Sequence, residues 1–323
     1  MSNSAQISRR FELQPRDFAT LRTLFESRVM TAAQAAVLFF DNRPEAAKKR
    51  LQILKCAGLI ATRPRRSNEP AVLYLPLPGL KLLQSEGILS EYPSLDLPTL
   101  ERRAQVRDST VRHELEVMDV KVAFHSAFSN SSTSSLVEFS TWPLLHQFES
   151  KTPDGRSHSV LVKPDGYIQI VTAAGASSGE DHHFFLELDR STESLDTLVA
   201  KAAIYLSHYR CGGFAARNGA PRSRFREYPI RVLFVLKSAE RRNNLAERLI
   251  SHSPPILTMA YLTTFEEVCR DPLGSIWIRP LDLRTALQET EGSPTRHHPQ
   301  RPYSRNRLRD ALIESRISKQ RLF

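Results

Sequence analysis

Apolar residues recur along this chain in two rhythms, and the change of rhythm divides it. Over the first ninety residues the period is helical. In PRDFATLRTLFESR, Phe18, Leu21 and Phe25 fall at i, i+3 and i+7 and line one face of a first helix. Thr31 with Gln34 in TAAQAAVLFF is a capping-box signature, so a short apolar second helix is predicted to start there. Pro44 and Glu45 suit a first helical turn, after which Ala47, Leu51, Leu54 and Gly58 share one face of a third helix. Its remaining surface carries Lys48, Lys49, Arg50, Gln52 and Lys55. GLIATRP and PAVLYLP then read as two short strands around the polar turn RRSNE, with Arg63, Arg65 and Arg66 at or beside its tip. Three helices and a basic hairpin are the order of a winged helix-turn-helix, in which the third helix enters the major groove and the wing touches the flanking backbone. Cations are needed in both places, and both places have them. Such folds also serve as protein-protein modules, and arginines near a turn are often only solvated.

A helix over PLPGLKLLQSEG and the Pro-bearing stretch SEYPSLDLPTLE close this first domain, expected over residues 1–92. Beyond it one long helix is predicted from ERRAQVRDSTVRHELEVMDVKVAFHSAF, with His113, Val117, Val120, Phe124 and Ala127 on one face. The rhythm then changes to that of strands. SSLVEFSTW, GYIQIV, HFFLELD, IRVLFVL and LTMAYL are rich in branched and aromatic residues. A helix over TESLDTLVAKAAIYLSHYR separates the third strand from the fourth, and another, ERRNNLAERLI, follows it. Helix, three strands, helix, strand, helix, strand is an α/β pattern, expected over residues 93–285. Residues 286–323 are Pro- and Arg-rich and read as a basic tail, flexible unless DNA or a partner orders it.

Composition agrees with two folded domains. The 323 residues are 41% hydrophobic and 25% charged, which is ordinary for globular chains. Three cysteines without a C-x-x-C pair supply neither a disulfide framework nor a zinc ribbon. The N-terminus lacks the apolar run of a signal peptide, and no segment reaches the ~18 apolar residues of a membrane span, so a cytoplasmic protein without a membrane partner is expected. The formal charge of +10 changes the picture only once it is divided along the chain: residues 1–90 carry +7, residues 292–323 carry +6, and the middle is slightly negative. Double-stranded DNA held by basic ends is the expectation this division supports.

The middle holds the candidate chemistry. Asp165, in Lys-Pro-Asp-Gly, precedes one strand, and Glu187 and Asp189 end the next on the same face by strand alternation. If the two strands are adjacent, three carboxylates converge, and a divalent cation, Mg²⁺ or Mn²⁺, is what such oxygen ligands suit. A metal there polarises a phosphodiester and activates water. Each piece also has an ordinary structural reading: a Pro-Asp-Gly turn and a solvated strand end. Adjacent His182 and His183 would point to opposite faces of a strand, unlike a paired-histidine centre, and no phosphate-cradling Gly-rich loop occurs.

With Pro-Asp at one strand and Glu-x-x at the next, the α/β part resembles the restriction-endonuclease-like, PD-(D/E)xK fold. Together with the preceding helical module, the runs HELEVMDVKVAF and FFLELDRSTESLDTLVAKAAIYLSHYR are similar to the replication-relaxation family of bacterial and plasmid proteins. That resemblance implies DNA relaxation and replication in plasmids or mobile elements, and an architecture similar to a relaxase class on the same nuclease fold. It implies Asp165 and Glu187 as metal ligands. Where the motif has a lysine, this chain has Asp189, and Lys201 in the following helix is the substitute the resemblance offers; as an ordinary structural residue it would only snorkel. The expectation is therefore a DNA-nicking protein using Asp165, Glu187, Asp189 and Lys201. The alternative is a non-enzymatic winged-helix regulator or replication accessory whose α/β domain binds partners, replication or mobilisation proteins or a second copy of the chain.

Overall fold

Residues 12–64, 69–90, 92, 96–104, 106–141, 148–151, 159–173, 179–291 and 315–323 are described by a computed structural model of the chain. Contacts divide it into two units, Met1–Met118 and Asp119–Phe323. The division falls inside a helix, later than the boundary after residue 92 that the proline-bearing stretch suggested; the end of that stretch, from Leu97, is helix.

In the first unit, helix α1 (Pro15–Ser27) starts at Gln14, whose backbone N–H donates to Asp17 Oδ2 at 2.7 Å. Strand β1 (Val29–Thr31) leads into α2 (Ala32–Phe39), capped as expected: Gln34 N donates to Thr31 Oγ1 at 3.2 Å, and Thr31 N to Gln34 Oε1 at 2.8 Å. Helix α3 (Pro44–Cys56) begins on its proline and buries Ala47, Leu51 and Leu54. Strands β2 (Ala61–Thr62) and β3 (Val72–Tyr74) follow, then α4 (Leu77–Ser85) and α5 (Leu97–Ala104). The sheet has three strands in the order β1-β3-β2, all antiparallel. The strand β1 was not expected; three residues are too few to show a period. Arg65 and Arg66 lie outside the described residues. Helix α6 (Asp108–Ser129) is separate from α5, where one continuous helix was predicted.

The second unit is a mixed α/β layer structure. Its sheet runs β10-β9-β8-β7-β4, from β4 (Ser134–Ser140), β7 (Gly166–Thr172), β8 (Glu180–Asp189), β9 (Ile230–Leu236) and β10 (Ala260–Thr264). A small hairpin, β5 (Phe148–Lys151) with β6 (Ser159–Val162), is inserted between β4 and β7. The β4-β7-β8 part is antiparallel, and β8-β9-β10 is parallel. Parallel neighbours need crossovers, supplied by α7 (Leu195–Arg210) and α9 (Ala239–Ser251). Between α7 and β9 stand the short helix α8 (Gly213–Arg217) and a 3₁₀ turn (Arg222–Glu227); α10 (Phe265–Arg270) and α11 (Pro280–Glu291) come later.

Strand alternation sorts the core onto two faces. Tyr167, Phe185 and Phe234 pack with Leu198, Ala202 and Tyr205 of α7 and Leu245 of α9. On the opposite face Phe139 meets Phe124 of α6 edge to face, ring centroids 5.7 Å apart. The final segment belongs to this unit too: Trp277 and Gln320 form a bridge, and Arg231 Nη1 donates to Leu322 O at 3.2 Å. Residues 286–291 are helix and 315–323 are packed, where the sequence suggested a flexible tail; 292–314 lie outside the described residues.

Candidate active site and nucleic-acid interface

Antiparallel pairing of β7 with β8 puts Gly166 opposite Leu186, so Asp165 arrives beside the end of β8 as the adjacency argument required. Its backbone N–H donates to Leu186 O at 3.0 Å and its Oδ2 accepts from Leu188 N at 2.8 Å. A Cβ at Gly166 would lie 3.3 Å from the Phe139 ring, a tight contact that the ring would have to relieve by a small shift.

Glu187, only 2% exposed, points to the α7 face. Lys201 Nζ donates to its Oε2 at 3.0 Å and Tyr205 Oη to its Oε1 at 2.5 Å. Lys201 and Tyr205 are four residues apart and so share a helix face. Lys201 also donates to Glu193 Oε1 at 3.0 Å, a carboxylate just before the Ser194 cap of α7. Burial, and then the charge of Asp165, push the Glu187 carboxyl up to about 7, with Lys201 and Tyr205 offsetting only part of this. Burial alone would lower Lys201, but Glu187, Glu193 and Asp165 outweigh it and hold the ammonium above its ordinary range. The two shifts pull the pair in opposite senses; because Lys201 is 30% exposed and Glu187 is almost sealed, desolvation of the carboxylate is the larger cost.

Asp189 does not join this group. Its Oδ2 is bound by Arg241 Nε of α9 and its Oδ1 accepts from Ser191 N at 3.0 Å. Arg241 Nη2 in turn donates to Glu193 O at 2.5 Å. The expected third carboxylate is therefore a strut: it holds the turn from β8 into α7, where Ser191 takes a positive φ of 63°, and through Arg241 it steadies the residue that grips Lys201. Among the described residues no three His, Cys, Asp or Glu side chains form a group that could hold a metal ion. Two oxygen donors remain, Asp165 and Glu187. Arg241 has no signal in the sequence, since its partners lie 48 and 52 residues away; Glu193, eight residues before Lys201, stands outside the helix and so off its periodic pattern.

In the first unit Lys48, Lys49 and Gln52 are exposed on α3, as expected, with Lys55 partly covered. Ile53 stands among them, 39% exposed. Arg50 does not share that face. It is bound to Asp17 of α1, which has no exposed side-chain surface, with Nε to Oδ1 at 2.9 Å, and Nη2 donates to Glu12 O at 2.8 Å. The reason is physical: an arginine at the shoulder of the buried arc reaches inward when a buried carboxylate awaits it. Arg63 pairs with the exposed Asp108 at 2.8 Å.

No helix among the described residues is long and apolar enough to cross a membrane. A family model described as replication-relaxation matches residues 21–222, more than half of the chain, from α1 through the start of the 3₁₀ turn. Searches of curated proteins and of solved structures find no match.

Proposed function

Since the chain belongs to the replication-relaxation family, with a role in replication or DNA relaxation, we propose that it binds duplex DNA through its first unit and nicks it at Asp165, Glu187 and Lys201 of the second. The observation that carries the reading is the delivery of Lys201 from α7 onto Glu187, beside Asp165, on two adjacent antiparallel strands. A helix, three antiparallel strands, a crossover helix and a parallel strand form the frame of a PD-(D/E)xK nuclease, with the motif lysine moved into the helix. The first unit supports a winged helix-turn-helix: three helices, then the β2-β3 pair, with Lys48, Lys49 and Gln52 exposed on the third helix.

The donor set fits a hard divalent ion. Mg²⁺ is held by one or two carboxylates, with waters and substrate phosphate completing its shell. Asp165 and Glu187 would hold Mg²⁺ or Mn²⁺, which when bound supplies positive charge that polarises a phosphodiester and acidifies water. Glu187 would give up the proton that its raised affinity retains near neutrality, since a cation between two carboxylates relieves their repulsion. Lys201 keeps its proton and presents an ammonium to the charge that develops on phosphate. Tyr205 fixes the Glu187 carboxyl, and Glu193 limits where Lys201 can swing.

The non-catalytic reading draws on one observation: both Glu187 oxygens already have internal partners, so the pair stands without a metal. A supercoiled-plasmid nicking assay with Mg²⁺ or Mn²⁺ decides. Asp165→Ala, Glu187→Gln and Lys201→Met are each expected to lower the nicking rate about 100-fold or more. Unchanged rates in all three would refute the nuclease and leave the accessory role.

A further inference from the structure

Residues 91–291 carry slightly more acidic than basic side chains, yet between Arg210 and Arg226 there are five arginines and no acidic residue. Arg210, Arg217, Arg222, Arg224 and Arg226 are all exposed. They are not strung along a loose loop. Gly212, at a φ of 67°, lets the end of α7 press against the start of the 3₁₀ turn so closely that a Cβ there would lie 2.2 Å from Arg222 O. Arg222 Nη1 donates to Cys211 O at 3.1 Å, which adds a cation at a helix C-terminus. Tyr209 and Phe225 meet edge to face at 5.3 Å and hold the turn from the other side. Arg217 and Arg222 converge closely enough that both depress the basicity of His208, after burial. Arg224 has Glu227 as its counter-charge, and Arg217 feels the charge of Glu138.

We propose that this arginine lobe is a second duplex-DNA contact, gripping the phosphate backbone. Exposed guanidinium groups fixed on a rigid turn pay little ordering entropy and match phosphate by paired N–H donors. The lobe stands at the end of the sheet where β9 begins, opposite His183, which lies four residues, or about 13 Å of strand, before Glu187. At about 3.4 Å per base step that length of strand corresponds to about four base pairs, well within the length of one bound duplex. The choice of DNA as the polyanion rests on the functional reading above. The lobe itself is independent of α3.

The test is fluorescence anisotropy of the full chain with a mixed-sequence duplex across a salt series. Arg217→Ala/Arg222→Ala/Arg226→Ala is compared with Lys48→Ala/Lys49→Ala, and a milder Arg226→Glu covers any local unfolding in the triple variant. Each phosphate contact adds about 0.9 to the slope of log K against log salt, so the triple variant is expected to lose about 2 to 3 from the slope and roughly tenfold or more in affinity. Slope and affinity unchanged in both lobe variants overturn the inference, even if the lysine variant weakens binding. Weakened binding in the lobe variants with an unaffected lysine variant sustains the lobe and refutes the α3 reading. A loss seen with single strands or heparin but not with duplex also overturns it.

Discussion

Glu187→Gln tests the electrostatics of the candidate site without needing its activity. In the folded chain the carboxyl is pushed from an ordinary 4.5 to about 7. The folded state therefore keeps a proton that the unfolded chain releases between those values, and stability falls as pH rises through that window. A displacement of this size is about 3 kcal/mol, fully present as a penalty above pH 7 and absent below about 4.5. Glutamine has nearly the same shape, accepts from Lys201 or Tyr205 through its carbonyl, and does not ionise. The variant is expected to match the parent near pH 4.5 and to exceed it by up to about 3 kcal/mol at pH 8. Urea unfolding at several pH values measures this, read through tryptophan fluorescence. Both tryptophans, Trp142 and Trp277, belong to the second unit, so the signal reports on the unit that holds the site. Other titrating groups are common to both proteins and cancel in the difference. Parallel curves from pH 4.5 to 8, within about 0.5 kcal/mol, would refute the reasoning. A variant less stable than the parent at pH 8 would show that the Lys201 ion pair outweighs the desolvation cost.

Arg50→Ala leaves the sealed Asp17 carboxylate without its partner and is expected to destabilise the first unit by about 3–5 kcal/mol. Calorimetry on the full chain resolves that loss, which a purely DNA-contacting arginine would not cause. Asp189→Ala is expected to cost about 2–3 kcal/mol by freeing Arg241 and the turn at Ser191, while Mn²⁺ affinity at Asp165 and Glu187 changes little; isothermal titration would contradict this if the affinity collapsed with the fold intact. Thr31→Ala removes the cap of α2 and is expected to cost about 1 kcal/mol in thermal unfolding.

What could be read in advance was whatever is local. The Thr31-Gln34 box and the proline opening α3 each act within one or two turns, and each appears where the spacing puts it. Asp165 and Glu187 were legible because a turn signal and a period of two need only short stretches of chain. Asp189 and Arg50 went otherwise for one shared reason. Their partners, Arg241 and Asp17, lie 52 and 33 residues away, and a charge next to an apolar face does not announce whether it will meet water or a buried counter-charge. The inserted β5-β6 pair lacked any signal strong enough to separate it from the polar sequence around it. The full burial of Tyr205 depends on Phe148 of β5 and Phe185 of β8, which no local signal brings to it.

Strand β8 has an antiparallel neighbour on one edge and a parallel one on the other, a combination found in no other described strand. That makes it the seam of the second unit, and it limits how the unit can vary. A single residue added or lost inside 180–189 would turn Glu187 to the α6 face and Leu188 toward Lys201, reversing core and chemistry together. Length changes before Glu180, in the β7-β8 connection, leave the register downstream intact. Within the segment from Glu180 to Asp189, length is thus far less free to drift than in the connection before it, whatever happens to the identity of the side chains around it.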